Sequence, residues 1–222
     1  MEEIAADIWH WTERHPEWHP KGAFGAVVGS YALRVGADTL LVDPLFGPDG
    51  APPPGLDAIV GAGHALLIAI TIGYHVRSTA DAWRRWGAEH DVTILAHERV
   101  ARRLPPGAPL RPITPEDVLP HGLSAHAIGS PRRQEMPIYV PQHLALLVGD
   151  ALVVTPPGEL RVWVQHDLTE ARRRWYRERL APSLHGLAAL DVERVLVTHG
   201  APVLSDGAAA VATAIAAEPW NG

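Results

Sequence analysis

Apolar residues occur in short blocks along the first half of the chain, and the blocks have the length of β-strands. "SYALRV" (30–35) and "DTLLVD" (38–43) are separated by a Gly-Ala dipeptide, which predicts two strands joined by a tight turn. "ALLIAIT" (65–71) is apolar almost throughout, as is typical of a strand covered on both faces. "DVTILA" (91–96) predicts the strand that follows it.

Helical patterns separate and follow these strands. Ser78 and Asp81 form an S-x-x-D capping pattern, and it is followed by Trp83 and Trp86 on one helix face. Three more helices are predicted over 97–104, over 167–180 with Asp167 as its N-cap, and over 208–217 with Ser205 or Asp206 as its N-cap.

The second half returns to strands before its helices. "HLALLVGDALVV" (143–154) contains two apolar segments around Gly-Asp, and "LRVWVQ" (160–165) and "VERVLVTHG" (192–200) predict further strands. This order is not a simple alternation of strand and helix, and it predicts a mixed α/β (α+β) protein with two sheets and helices outside. A length of 222 residues favours one domain over 1–222.

The composition narrows the classes of partner. A net charge of -6 argues against nucleic acid and against an anionic membrane surface, because both attract a basic face. No apolar segment approaches the ~18 residues of a membrane span. Cysteine is absent, which excludes disulfides and thiolate ligands and agrees with a cytoplasmic location. The expected partner is a small-molecule ligand or substrate, with a homo-oligomer left open.

Four predicted strands deliver a polar side chain where they end: Asp43, His75, Asp150 and His199. Side chains at the ends of different strands meet at one edge of a scaffold, which is where binding sites are commonly built. Taken singly, Gly149-Asp150 is also typical of a tight turn, and either histidine could belong to an ordinary loop.

The ordered set resembles the metallo-β-lactamase-fold hydrolases. "LLVDPL" resembles the strand-Asp element of that family, "LLVGDALV" its Gly-Asp element and "VLVTHGAPV" its final His-Gly element. The order and spacing match over about residues 25–205. The resemblance implies a metallo-β-lactamase-like four-layer αββα sandwich of two mixed β-sheets.

The chain departs from the family's metal-binding signature, Thr-His-x-His-x-Asp-His. Aligning His75 with the second histidine places Gly73 at the first, Arg77 at the aspartate and Ser78 at the third histidine. The turn that supplies a further histidine in the family is "AIGSPRRQE" here, with Ser130 at the ligand position. Most of the family's metal ligands are therefore absent.

The surviving candidate metal ligands are His75, Asp150 and His199. In the family the ligands hold one or two metals, usually zinc, which lower the pKa of a bound water. Two imidazoles and one carboxylate suffice in principle for zinc, with iron or manganese as alternatives. The resemblance implies either no cofactor or one such divalent metal.

The lost ligand positions suggest a ligand-binding pocket, formed by Asp43, Arg77, Ser78, Ser130, Arg132 and Arg133. Because a helix N-terminus disfavours a cation, we expect the guanidinium of Arg77 to pair with Asp150, the alternative being a solvent-facing side chain. Arg132 and Arg133 belong either to a solvated loop or to a receptor for an anionic ligand. Ser78 has a second interpretation as a helix N-cap.

The N-terminal segment "HWTERHPEWHP" (10–20) imitates a metalloprotease H-E-x-x-H motif. Its glutamate is misplaced and its prolines oppose a helix, so we expect a hairpin or loop beside the site.

Three functions are compatible with these residues. The first is a degenerate metallo-β-lactamase-fold protein that has lost dinuclear-metal hydrolysis and has a ligand-binding or vestigial role. The second is a hydrolase of a small ester, thioester or lactone with a single metal on His75, Asp150 and His199. The third is metal-free acid–base chemistry by His75 and Asp150, the two catalytic candidates, with Arg77 holding a substrate carboxylate. Whether the chain is an enzyme depends on this choice.

Overall fold

A computed structural model of the chain describes residues 1–19, 25–165 and 168–221. The chain forms two compact units. The first unit comprises Met1–Trp18 and Ala26–Ile113, and the second comprises His19–Gly25 and Thr114–Gly222. The single domain expected over 1–222 stays a prediction.

The first unit is built on a seven-stranded sheet whose strands lie side by side in chain order. The strands are β1 (Glu2–Ala5), β2 (Ile8–Arg14), β3 (Val27–Val35), β4 (Asp38–Val42), β5 (Ala65–Ile70), β6 (Asp91–Ala96) and β7 (Leu110–Pro112). Neighbours pair antiparallel from β1 to β4 and parallel from β4 to β7. The predicted turn between β3 and β4 and the predicted strands at β5 and β6 are confirmed.

Helices α1 (Leu56–Gly61) and α2 (Thr79–Trp86) complete the first unit with 3₁₀ turns at Gly73–Val76 and Glu98–Arg103. Its core consists of apolar side chains from the sheet and from both helices, among them Trp11, Ile68, Ile94, Val60 and Trp86. The continuous apolarity of β5 is explained by its central place in the sheet, where every residue from Leu66 to Ile70 is buried.

The second unit contains a four-stranded and a two-stranded sheet. The larger has the order β13 (Arg194–Val197), β10 (Ala145–Val148), β9 (Ile138–Val140) and β8 (Ser124–Ala125), and the smaller pairs β11 (Leu152–Val154) with β12 (Leu160–Val162). The helices are α3 (Glu170–Trp175), a π-helical turn (Tyr176–Leu180), α4 (Ala181–Ala188) and α5 (Gly207–Ala216), with 3₁₀ turns at Pro120–Gly122 and Pro141–His143.

The start of α2 corrects one local prediction. The helix begins at Thr79, directly after Ser78 as expected, but the Ser78 side chain does not cap it. Its Oγ accepts a hydrogen bond of 3.0 Å from the backbone N–H of Phe46, and Asp81 pairs with Arg84 at 2.7 Å. The predicted capping pair is therefore wrong, because a loop from another part of the unit takes the hydroxyl.

The other predicted helix starts shift by a few residues. In α3, the side chain of Thr169 accepts a hydrogen bond from the N–H of Arg172 and forms the N-cap. Asp167, the predicted cap, lies outside the described residues. α5 begins directly after Asp206, whose side chain makes no capping hydrogen bond.

None of the helices in the described ranges is both long and apolar enough to span a membrane.

Candidate functional site

Asp43 is the polar centre of the first unit. It follows β4 directly, with a left-handed backbone (φ 45°) that aspartate tolerates better than most residues, and it is 1% exposed. Its carboxylate accepts hydrogen bonds from the Thr71 N–H at 2.8 Å and from the Thr71 hydroxyl at 2.5 Å. The third partner is Nδ1 of His75, at 2.9 Å from Oδ2.

The parallel pairing of β4 and β5 brings these residues together, because parallel strands end at the same edge of the sheet. His75 lies in the 3₁₀ turn after β5 and is 4% exposed. Since Nδ1 faces a carboxylate, we assign the ring hydrogen to Nδ1, which leaves the lone pair on Nε2. That tautomer is the one a metal ligand or a general base requires.

The electrostatics of this cluster favour an ionised Asp43. Burial by itself would raise the pKa of its carboxyl group, but His75, Arg77 and the hydrogen bond from Thr71 together hold the pKa below its usual value. The ionised Asp43 carboxylate fixes the orientation of the His75 ring through its contact with Nδ1.

Arg77 is bound to the backbone in the first unit. Its Nη1 donates to the carbonyl oxygens of Asp43, at 3.1 Å, and of Gly29, at 3.3 Å. The residue adopts φ 39° and ψ -121°, a conformation that favours glycine, and such strain persists only where surrounding contacts hold it. The solvent-facing alternative is therefore wrong, whereas the pairing with Asp150 stays a prediction.

The N-terminal segment contributes one residue near this cluster. Residues 10–14 belong to β2, so the segment is a strand followed by a loop, and its Glu17 N–H binds Nδ1 of His15. The pKa of His15 is lowered by burial and by the positive charge of Arg77, against the opposing effect of Glu17, and a protonated His75 would lower it further. His15 therefore lies within electrostatic range of both residues.

The second unit holds an equivalent pair of strand-end residues. Asp150 follows β10 and His199 follows β13, and these strands are parallel neighbours. Nε2 of His199 lies 3.3 Å from Oδ1 of Asp150, and both residues are at least nine-tenths buried. Gly200 follows with φ 88°, where a Cβ would overlap the carbonyl oxygen of Val154, so the His-Gly sequence has a steric cause.

Arg132 pairs with Asp150, a contact that the sequence did not predict. Its Nη1 donates to Oδ2 of Asp150 at 3.2 Å and lies 3.9 Å from Oε2 of Glu135, while its Cζ lies 4.5 Å from the centre of the Trp163 ring. Arg132 is 8% exposed, so the solvated-loop interpretation is wrong for it. The neighbouring Arg133 is exposed.

Ser130 and Ser78 are the remaining residues of the predicted pocket, and their place in it stays a prediction. Ser130 is half-buried, and its peptide bond to Pro131 is cis. Ser78 is buried and bound to Phe46, as described above.

Sequence reasoning missed three residues that hold the strand-end pairs in place: Thr71, Glu135 and Trp163. Glu135 is fully buried, and its Oε1 accepts a hydrogen bond from the Ala151 N–H at 2.9 Å. The R-x-x-E spacing of Arg132 and Glu135 was a visible signal for a pair in one turn. No pattern pointed to Thr71 or Trp163.

Comparison with known proteins identifies the fold. No protein-family model and no curated protein sequence matches the chain. Among solved structures, a metallo-β-lactamase family protein from Thermus thermophilus matches with a TM-score of 0.61 and 16% identity, over 96% of this chain and 80% of that one. A metallo-β-lactamase from Erythrobacter litoralis matches with a TM-score of 0.63 and 16% identity, over 97% and 95% of the two chains.

A third match is the metallo-β-lactamase FIM-1 from Pseudomonas aeruginosa in its mono-zinc form, with a TM-score of 0.62 and 15% identity over 96% of this chain and 93% of that one. Each alignment spans nearly all of this chain, and the mixed sheets and outer helices agree with the sandwich expected from the sequence. The chain therefore has the metallo-β-lactamase fold.

Proposed function

We propose that this protein has lost the dinuclear-metal hydrolase activity associated with its fold and that it binds a small-molecule ligand instead. One observation carries the proposal. The side chains at the lost ligand positions of the first unit have structural partners of their own: the Ser78 hydroxyl binds the Phe46 N–H, and the Arg77 guanidinium binds two backbone carbonyls.

The chemistry of the donor set supports the loss of a two-metal centre. Zinc takes imidazole, thiolate and carboxylate ligands, and neither a guanidinium nor a serine engaged with the backbone belongs to that set. A fixed positive charge also repels a dication over the few ångströms of a shared site. The residues present therefore do not fit two metals.

A small anion is the ligand class we propose. Arg77 is half-buried, and a guanidinium is suited to recognising carboxylate or phosphate groups. The net charge of -6 favours neither nucleic acid nor an anionic membrane as partner, and we propose the cytoplasm as the location.

Metal analysis of protein purified without chelators tests the proposal. We expect less than one equivalent of zinc, iron or manganese per chain, and no turnover of ester, thioester or lactone substrates. Two bound metals per chain, together with turnover that a chelator abolishes, would overturn it. Isothermal titration with inorganic phosphate and with small dicarboxylates, compared between the wild type and Arg77→Gln, tests the anionic ligand.

The alternative function is a hydrolase with a single metal on His75, Asp150 and His199. The observation in its favour is the bond between Asp43 and Nδ1 of His75, since metal-binding histidines commonly donate their other ring N–H to a carboxylate. The three donors are chemically adequate for one metal, which when bound would supply a Lewis acid and lower the pKa of a coordinated water. One equivalent of metal in the wild type, lost in His199→Ala, would favour this function.

In the metal-free alternative, His75 and Asp150 stay the proposed catalytic pair, and Asp43 adds a second carboxylate partner for His75. The carboxylate bound to its ring is Asp43, so in an acid–base reaction His75 would exchange the proton at Nε2 while Asp43 fixes the ring. Turnover that survives complete chelation and is lost in His75→Gln would favour it.

A further inference from the structure

Arg132 is enclosed by contacts that fix its guanidinium. The residue is 8% exposed, and its Cζ lies 4.5 Å from the centre of the Trp163 ring, a distance at which a cation is attracted to the face of an aromatic ring. The backbone around it forms a tight turn, in which the Arg132 N–H binds the Gly129 carbonyl and the Glu135 N–H binds the Arg132 carbonyl. The charge therefore has one defined position.

That position lies between two buried carboxylates. Nη1 is 3.2 Å from Oδ2 of Asp150 and 3.9 Å from Oε2 of Glu135. Glu135 also binds the N–H of Ala151, so it ties the turn that carries Arg132 to the turn that carries Asp150. Two carboxylates this deeply buried need a cation nearby, because an uncompensated buried charge is strongly destabilising.

The position of Arg132 in the sequence also relates it to the metal-binding turn of the family. Arg132 lies two residues after Ser130, the position at which the resemblance expects a metal-binding histidine in a turn. The turn lies near Asp150 and supplies a permanently charged guanidinium close to the position at which the resemblance expects a metal ligand.

We propose that the Arg132 guanidinium is a resident cation that takes the place of a metal ion beside Asp150 and His199, and that neutralising it turns these two residues into part of a divalent-metal site. The inference rests on the proposed loss of the dinuclear centre. His199 and Asp150 offer an imidazole and a carboxylate, two of the ligand types that zinc takes, and Glu135 adds a negative charge that attracts a dication.

The test compares zinc binding by the full-length wild type with that by Arg132→Gln. Glutamine removes the charge but keeps an N–H donor for Asp150. The matched control is Arg133→Gln, which makes the same change at the adjacent exposed residue. Affinity is measured by competition with a chromophoric chelator, and the melting temperature is measured with and without zinc.

We expect zinc to bind Arg132→Gln roughly a hundredfold or more tighter than the wild type, because a charge repelled at a few ångströms has been removed. Zinc should raise the melting temperature of this variant alone, and adding Asp150→Asn should abolish the gain. Equal affinity in the wild type and Arg132→Gln would overturn the inference, as would an equal gain in Arg133→Gln.

A second variant covers the case in which Arg132→Gln does not fold without metal. Arg132→Lys keeps the positive charge and changes the shape, so it should fold and remain as weak a zinc binder as the wild type. Folding of Arg132→Gln only when zinc is present would support the inference, and failure to fold with or without zinc would contradict it. The proposed function fails by a different result, two metals in the purified wild type.

Discussion

Replacing Asp43 by asparagine should change the tautomer of His75 with only a moderate loss of stability. Asparagine has nearly the shape of aspartate, so its oxygen can still accept the Thr71 N–H. Its NH₂ group then occupies the position of Oδ2 and faces the Thr71 hydroxyl and His75 Nδ1. In the wild type these two groups donate hydrogen bonds to the carboxylate, so in the variant they face another donor. Both can act as acceptors if the hydrogen of His75 moves to Nε2.

The magnitude follows from the hydrogen bonds of the Asp43 carboxylate. A hydrogen bond to a charged group contributes about 1.5–3 kcal/mol and a neutral one about 0.5–1.5 kcal/mol, so weakening the contacts from Thr71 N–H, Thr71 Oγ1 and His75 Nδ1 costs about 3 kcal/mol. Asp43→Ala leaves the same three groups buried and unpaired, at about 1–3 kcal/mol each, and should cost about 5 kcal/mol or more.

Urea unfolding of the wild type, Asp43→Asn and Asp43→Ala gives the three free energies of unfolding. Nitrogen-15 shifts of the imidazole give the tautomer, with the His75 signals identified by their absence in His75→Gln. The reasoning is refuted if Asp43→Asn is as unstable as Asp43→Ala, or if His75 keeps its hydrogen on Nδ1 in the asparagine variant. A His75 with hydrogen on Nε2 would also be unable to bind a metal through that atom.

Three further predictions concern His10, Gly200 and Arg77. The ring of His10 stacks on that of Tyr31, with 4.8 Å between the ring centres, and burial lowers the pKa of His10 more than Glu2 raises it. Its contribution to the free energy of unfolding is therefore present above the unfolded pKa of about 6.5 and is lost as pH falls through the lower folded pKa. The free energy of unfolding should therefore fall less between pH 7.5 and 5.5 in His10→Phe than in the wild type, and an equal fall would contradict this. Gly158→Ala should lose about 1–2 kcal/mol through backbone strain at its positive φ, and Gly200→Ala should lose more. Both glycines have positive φ, but only a Cβ at Gly200 would overlap the Val154 carbonyl. Calorimetry that ranks the two variants equally would refute the steric argument. Arg77→Gly should be more stable than Arg77→Ala by about 1 kcal/mol in urea unfolding, since both lose the guanidinium and only glycine relieves the strain at φ 39°; the opposite order would show that the backbone there is unstrained.

The long apolar strands of the first unit could be predicted from the sequence, whereas several short strands could not. β5 and β6 lie in the interior of the first unit's sheet, so burial on both faces leaves an unbroken apolar segment. β8 has two residues and β9 three, too few for a periodic pattern. β1 begins with two glutamates and lacks the alternation of a half-buried strand.

The candidate site was predictable in its positions and not in its partners. Asp43, His75, Asp150 and His199 follow strand ends, which sequence patterns locate well. The partner of Asp150 in its own unit depends on how the turn from Gly129 to Glu135 folds back. The R-x-x-E spacing relates Arg132 to Glu135, but it does not show that Arg132 is buried against Asp150 while Arg133 is exposed.

The two outer strands of the seven-stranded sheet bear on how copies of this protein would associate. β1 exposes Glu2 and Glu3 at one edge, and β7 exposes Arg111 and Pro112 at the other. Charged side chains and proline at an edge oppose the addition of a strand from another chain, through repulsion and through the missing N–H of proline. Homo-oligomers of this protein should therefore assemble through side-chain surfaces rather than by extending this sheet from one copy into the next.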